Sequence, residues 1–188
     1  MDSVMLRTKL QEMTEVQDVA QHASLLTAIT RDHPNSIRIL QSPHAIGRYT
    51  CFVHAFDFTE KPEYLDIASF GLGRVFAGPA FGQWLLESEA LDEIPALEKS
   101  EECLVFYFSD KNLRHVGLSK ADERMVSKWG IGHLYEHEIF EVPESYGSRI
   151  RIFKKPHYDD TFLHFVRFAE ANGIRFEPAV KENEGTLQ

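Results

Sequence analysis

The feature that most constrains this chain is a change of character at Pro95. Before it, apolar residues recur at three- and four-residue spacing, as in Leu6, Leu10, Met13, Val16 and Ala20, which predicts an amphipathic helix over residues 4–29. Residues 31–50 hold Pro34, Asn35, Pro43 and Gly47 and read as loop, with a short strand at "SIRIL". Phe52, Ala55 and Phe56 would share one face of a helix that begins at Cys51 and ends before Pro62. Two more helical stretches, "EYLDIASF" and "FGQWLLESEALDEI", flank the glycine-rich segment at residues 71–78.

After Pro95 the runs become short and rich in Val, Ile, Phe and Tyr: "CLVFYFS", "RHVGLS", "ERMVSKW", "HEIFEVP" and "RIRIFKK". Asp, Asn, Gly or Pro bounds each one, the pattern of antiparallel strands in a meander. "DDTFLHFVRFAEANG" closes the series as a helix over 159–172, capped by Asp159 or Asp160 and stopped by Asn172-Gly173. A polar tail follows over 181–188. Helices first, then about five strands, then one helix predict a single α+β domain over residues 1–180.

Charge narrows the partners. A formal net charge of −9 with no basic cluster argues against nucleic acid. The first residues lack the apolar region of a secretory signal, and no run approaches the ~18 apolar residues of a membrane span. A cytoplasmic protein with free thiols is the expectation, with signal-independent secretion as an effector left open. Two cysteines, Cys51 and Cys103, make no disulfide framework. Cys103, inside "CLVFYF", reads as core.

Cys51 has two readings. Free cysteine is among the most buried residue types, which favours a small core residue. A thiol at a helix start next to an imidazole would instead be a nucleophile, because both stabilise the thiolate. His115 opens the strand "RHVGLS", and the next strand, its hairpin partner, would bring Ser127 or Lys128 near it as the group that orients the ring. Alone, His115 would be a turn histidine and Ser127 an ordinary strand hydroxyl; the case rests on their joint order.

That order resembles the papain-like cysteine peptidases: helix-borne cysteine, histidine opening one strand, polar residue on the next. "VSKWGIG" and "SYGSRIRIFKK" are similar to the papain-type segment before and within a Gly-X-Ile-Arg-Ile strand. "ECLVFYFSDKNLRHVGLS" resembles the NlpC-type amidase branch, with its "GDLVFF"-like and "HVGIY"-like strands. The resemblance spans about residues 45–155. It implies a papain-like domain with helices on an antiparallel sheet, Cys51 as nucleophile, His115 as general base and acid, Ser127 as orienter and Trp129 as a shield over the histidine. It implies hydrolysis of an amide in a peptide or peptidoglycan-stem fragment, without cofactor or metal. Thr50 and Phe52 flank the cysteine where the branch reads Asp and Ser, and Ala45 stands where papain-type enzymes carry the oxyanion glutamine. Tyr49 or His44 are the substitutes, and Lys128 and His133 are further candidates to line the substrate. The alternative is an inactive binding module for a peptide or protein on the same fold.

Two other motifs were weighed by context. "HLYEH", residues 133–137, spells the His-x-x-Glu-His of inverted zinc peptidases, but its Gly- and Pro-bounded surroundings predict strand, not the helix such a site needs. A structural or substrate-lining role suits His133 and His137 better. "GLGRVFAG" at 71–78 fits no phosphate-binding fingerprint and reads as a helix break. Oligomeric state is not legible.

Overall fold

A computed structural model describes residues 3–97, 101–120 and 124–176. Its centre is the strand β3 (Cys103–Ser109), whose side chains are apolar on both sides of the pleat. Leu104, Phe106 and Phe108 enter one hydrophobic core, and Val105 and Tyr107 enter another. A strand that buries both faces needs a layer on each, and the fold supplies them. The expected α+β class is what the chain adopts.

The sheet has seven antiparallel strands among the described residues, in the order β1-β6-β5-β4-β3-β7-β2, two more than the sequence reading gives. β4 (Asn112–Ser119), β5 (Met125–Lys128), β6 (Leu134–His137) and β7 (Arg149–Lys154) follow β3. The edge strands β1 (Arg38–Leu40) and β2 (Glu93–Ile94) are very short, which blunts both edges. Three expectations shift. The helical spacing that runs through "LDEI" predicts helix there, but Glu93 and Ile94 pair with Phe153 and Ile152 instead. The strand expected at "HEIFEVP" lies earlier, at Leu134–His137, where it pairs with β5 and β1. The strand expected from Glu123 begins at Met125, and Glu123 lies outside the described residues, as does the 181–188 tail.

One layer holds α1 (Ser3–Glu15) and α2 (His22–Asp32), both of which bury residues against Tyr107, Met125, Trp129 and Tyr135. The single helix expected over 4–29 is therefore two. Asp18 breaks it: its carboxylate accepts from the Ala20 N–H and starts a short 3-10 turn over Val19–Gln21. The buried His22 fixes the break, with Nε2 2.9 Å from the Val16 carbonyl and Nδ1 3.3 Å from the Tyr135 hydroxyl.

The other layer holds α3 (Cys51–Ala55), α4 (Pro62–Asp66, running into a π turn to Gly71), α5 (Pro79–Glu87) and α6 (Tyr158–Ala171). Phenylalanines hold it together. Phe52, Phe56, Phe58, Phe81, Phe162 and Phe165 pack edge-on and tilted against one another and against Phe106. Each such fully buried ring contributes roughly 1.5–3 kcal/mol. The α6 cap is His157, whose Nδ1 accepts the Asp159 N–H; Asp159 itself binds Lys61 and the Tyr64 hydroxyl.

A loop at residues 143–148 crosses the α1 side of β3. Gly147 has φ +90°, and a Cβ there would meet the Phe108 carbonyl oxygen at 2.0 Å, so no other residue fits this approach. Arg7 of α1 donates to the Gly147 carbonyl and, at 3.2 Å, to that of Val142. Gly147→Ala is expected to lower the unfolding free energy by about 2–3 kcal/mol, read from urea denaturation. An unchanged midpoint would mean that the loop does not rest on β3.

Candidate functional site

Cys51 stands at the start of α3 because Thr50 caps it. The Thr50 hydroxyl accepts the Val53 N–H at 3.2 Å and donates to the Ala77 carbonyl. Cys51 as a residue is half-buried. The nearby backbone N–H groups of Val116, Phe52 and Cys51 itself, and the Lys128 ammonium, act on the sulfur electrostatically. All four favour the thiolate. Burial outweighs them and pushes the thiol up to about 11, so the resting sulfur is protonated. The helix start does not by itself make the thiolate expected from the sequence; α3 is only five residues long.

His115 is buried on β4, directly before Val116. It lies opposite Tyr107 in the β3–β4 ladder, and the two rings are 5.5 Å apart, which puts the imidazole on the α1–α2 face. Tyr146 stacks on it at 4.0 Å and 11°. Its Nε2 is buried without a hydrogen-bond partner. Burial holds the imidazole well below its ordinary range, and the nearby His137 and His54 add to this. No hydrogen bond joins His115 to Cys51: the Val116 side chain faces the core that holds Cys51, while the preceding side chain leaves on the opposite face of the strand.

Ser127 does not orient His115. It lies on the same face of the sheet, but its hydroxyl is 2.7 Å from His137 Nε2 and accepts the Trp129 indole N–H at 2.9 Å. His137 Nδ1 is 2.7 Å from the Glu138 carbonyl, which fixes the tautomer: Nδ1–H donates there, and Nε2 accepts from Ser127. Trp129 stacks on Tyr135 at 4.1 Å and lies beside His137, not His115. All three side chains are fully buried, so this is a closed network without access for a substrate.

Lys128, one residue on, points to the other face. Its ammonium donates to the carbonyls of Gly130 at 3.0 Å and Gly132 at 2.9 Å and sits 5.2 Å from the Tyr49 ring centre. Burial lowers it to about 8. Tyr49, His44, His133 and Lys128 line one open cleft with Ser42 and Gly132. The Tyr49 hydroxyl is paired with Ser42 at 2.7 Å, His44 packs edge-on against Tyr49, and His133 Nε2 is 3.3 Å from the Val19 carbonyl.

His133, Glu136 and His137 lie at the start of and along β6, not on a helix, and His137 is committed to Ser127. Among the described residues no group of three or more His, Cys, Asp or Glu is placed to hold a metal ion. Residues 71–78 form a tight turn closed by a Leu72–Val75 bridge before α5. No described helix is long and apolar enough to cross a membrane. Sequence reasoning missed Tyr146, for which "PESYGS" gives no signal beyond a turn, and the Val116 N–H, which no residue type announces. No family model matches the chain, and neither does any curated protein or solved structure.

Two outcomes follow from the buried polar groups. Ser127→Ala leaves the Trp129 N–H and His137 Nε2 unpaired, and is expected to lower stability by about 2 kcal/mol in thermal or urea unfolding. His54 and His137 are both depressed to about 4 by burial, and His115 is depressed as well. Below the unfolded-state value near 6.5 the unfolded chain takes up protons that the folded chain refuses. Stability should therefore hold above about pH 6.5 and fall steeply from there toward about pH 4. A urea midpoint that stays flat across that window would show these rings to be hydrated.

Proposed function

We propose that the protein is a cysteine-dependent hydrolase of papain-like architecture that cleaves an amide bond in a peptide or peptidoglycan-stem fragment. The observation that carries this reading is the placement of Cys51 at the start of α3, which Thr50 caps, beside backbone N–H groups and a lysine ammonium that favour a thiolate. Two of these N–H groups belong to the first turn of α3, whose leading N–H groups have no partner within the helix, and such groups stabilise a thiolate and the oxyanion formed beside it. Support comes from the neighbouring residue: the unpartnered Nε2 of His115 costs roughly 1–3 kcal/mol in a purely structural role.

In this mechanism the resting pair is neutral. His115, which makes no direct hydrogen bond to Cys51, takes the thiol proton through one intervening water as the sulfur attacks the amide carbonyl, so that the sulfur–carbon bond forms without a standing ion pair. The N–H groups of Cys51 and Val116 hold the oxyanion. His115 then gives its proton to the leaving amine, the carbon–nitrogen bond breaks, and the acyl group stays on sulfur. Water, deprotonated by the same imidazole, releases the acid and restores the thiol. No cofactor enters.

A second reading, a binding module without chemistry, is favoured by the Tyr146 stack over His115 and by the thiol raised to about 11. One experiment separates the two. Labelling of Cys51 by a peptidyl chloromethyl ketone, followed by intact mass at pH 7.5, should be abolished in Cys51→Ala. It should slow by about 100-fold or more in His115→Gln, the scale of general-base assistance. Equal rates in wild type and His115→Gln would remove the hydrolase and leave the binding module.

A further inference from the structure

Lys128 is a buried cation without a counter-ion. Among the described residues no carboxylate pairs with it. Its ammonium carries three N–H donors, and the Gly130 and Gly132 carbonyls accept two of them. A buried charge left without its opposite costs several kcal/mol, so a site that retains one is suited to receive an anion. Neutral carbonyls and one aromatic face moderate that cost without cancelling the charge.

The cation also has somewhere to receive it from. Lys128 lines a cleft of about 330 Å³ together with Tyr49, Ser42, His44, Gly132 and His133. That volume is at the lower end of ligand pockets, which run roughly 300–1,000 Å³. It suits one or two amino-acid residues rather than a long chain. The cleft lining mixes apolar groups such as Ile39, Leu40 and Ile46 with hydroxyls and imidazoles and contains no carboxylate. The Lys128 ammonium lies 5.2 Å from the ring centre of Tyr49, the cleft residue two positions before Cys51.

We propose that this cleft is a carboxylate subsite, in which Lys128 takes the anionic group of a short peptide and so sets the amide that meets Cys51. The inference rests on the hydrolase reading for the words "meets Cys51", but the subsite itself does not. The substrate class is then an amide that carries a free carboxylate within one or two residues of the bond to be cleaved. A terminal carboxylate and an acidic side chain share that chemistry. The lysine is a positioning residue: it holds the far end of the substrate and transfers no proton.

The test uses the full chain with Cys51→Ser, so that no turnover is needed. Binding of N-acetyl-alanyl-alanine, of its C-terminal amide, and of N-acetyl-glutamyl-alaninamide is measured by titration calorimetry. Either carboxylate should bind about tenfold or more tightly than the neutral amide, the order expected of a hydrogen bond to a charged group. Preference for the first compound assigns a terminal carboxylate, and preference for the third an acidic side chain. Lys128→Met should erase the difference, and Lys128→Arg should keep part of it, with folding of each checked by circular dichroism. Equal affinity for all three compounds in the Lys128 protein overturns the subsite without recourse to any lysine variant. A carboxylate preference that survives Lys128→Met overturns it as well. Failure of the labelling experiment with preference intact would leave a carboxylate-binding module, so the two proposals fail separately.

Discussion

The arrangement of the site depends on the two-residue alternation of β4. Consecutive residues of a strand leave it on opposite faces. Val116 and Leu118 go to the phenylalanine layer, where α3 sits, and His115 goes with Tyr107 to the layer of α1 and α2. Cys51 therefore packs on the Val116 side of β4, while the imidazole one residue earlier belongs to the other core. The same alternation on β5 separates Ser127 from Lys128. It sends the serine to His137 and Trp129 and the lysine to the cleft beside Tyr49. Had either strand slipped by one residue, every one of these assignments would invert.

Polar groups inside a two-core fold must find partners, and most of them do. His22 joins α2 to β6 through Tyr135, Ser127 joins β5 to β6 through His137, and Lys128 ties the turn between those strands. Each is a local solution: the donor and acceptor lie on neighbouring strands or on a helix laid over them. His115 Nε2 is one of the exceptions, along with His54 Nε2, Ser69 Oγ and His164 Nδ1. Its ring is held by stacking alone, from Tyr146 on one side and Tyr107 near by, and stacking satisfies no nitrogen.

The layout was legible in the sequence because it follows from periodicity. Three- and four-residue spacing marked the helices, and "CLVFYFS" could only be a strand covered on both faces. The break at Asp18 was hidden because Val16 and Ala20 continue the helical spacing across it; a side-chain cap overrode the pattern. "LDEI" misled for the same reason, since two residues at the end of a helical run are too few to show a change of period. The site was legible in composition more than in geometry. Cys51 and Lys128 lie on one face of the sheet and His115 and Ser127 on the other, a division set by strand register. Single-residue reading does not see it.

The electrostatics of Cys51 and His115 share one cause. Burial raises the thiol and lowers the imidazole, and each shift opposes the transfer of a proton from sulfur to nitrogen. The N–H groups and the ammonium around the sulfur act in the other direction and are fixed parts of the frame. Water reaching the pair would reduce both desolvation penalties together, lowering one group and raising the other, so the two changes add. Tyr146 holds that balance physically. Its ring lies on His115, its hydroxyl takes the Gly130 N–H at 3.1 Å, and its position is set by Gly147 pressed against β3 and held by Arg7 of α1. The seating of Tyr146 on His115 is thus tied, through a single turn, to how the first helix is seated on the sheet.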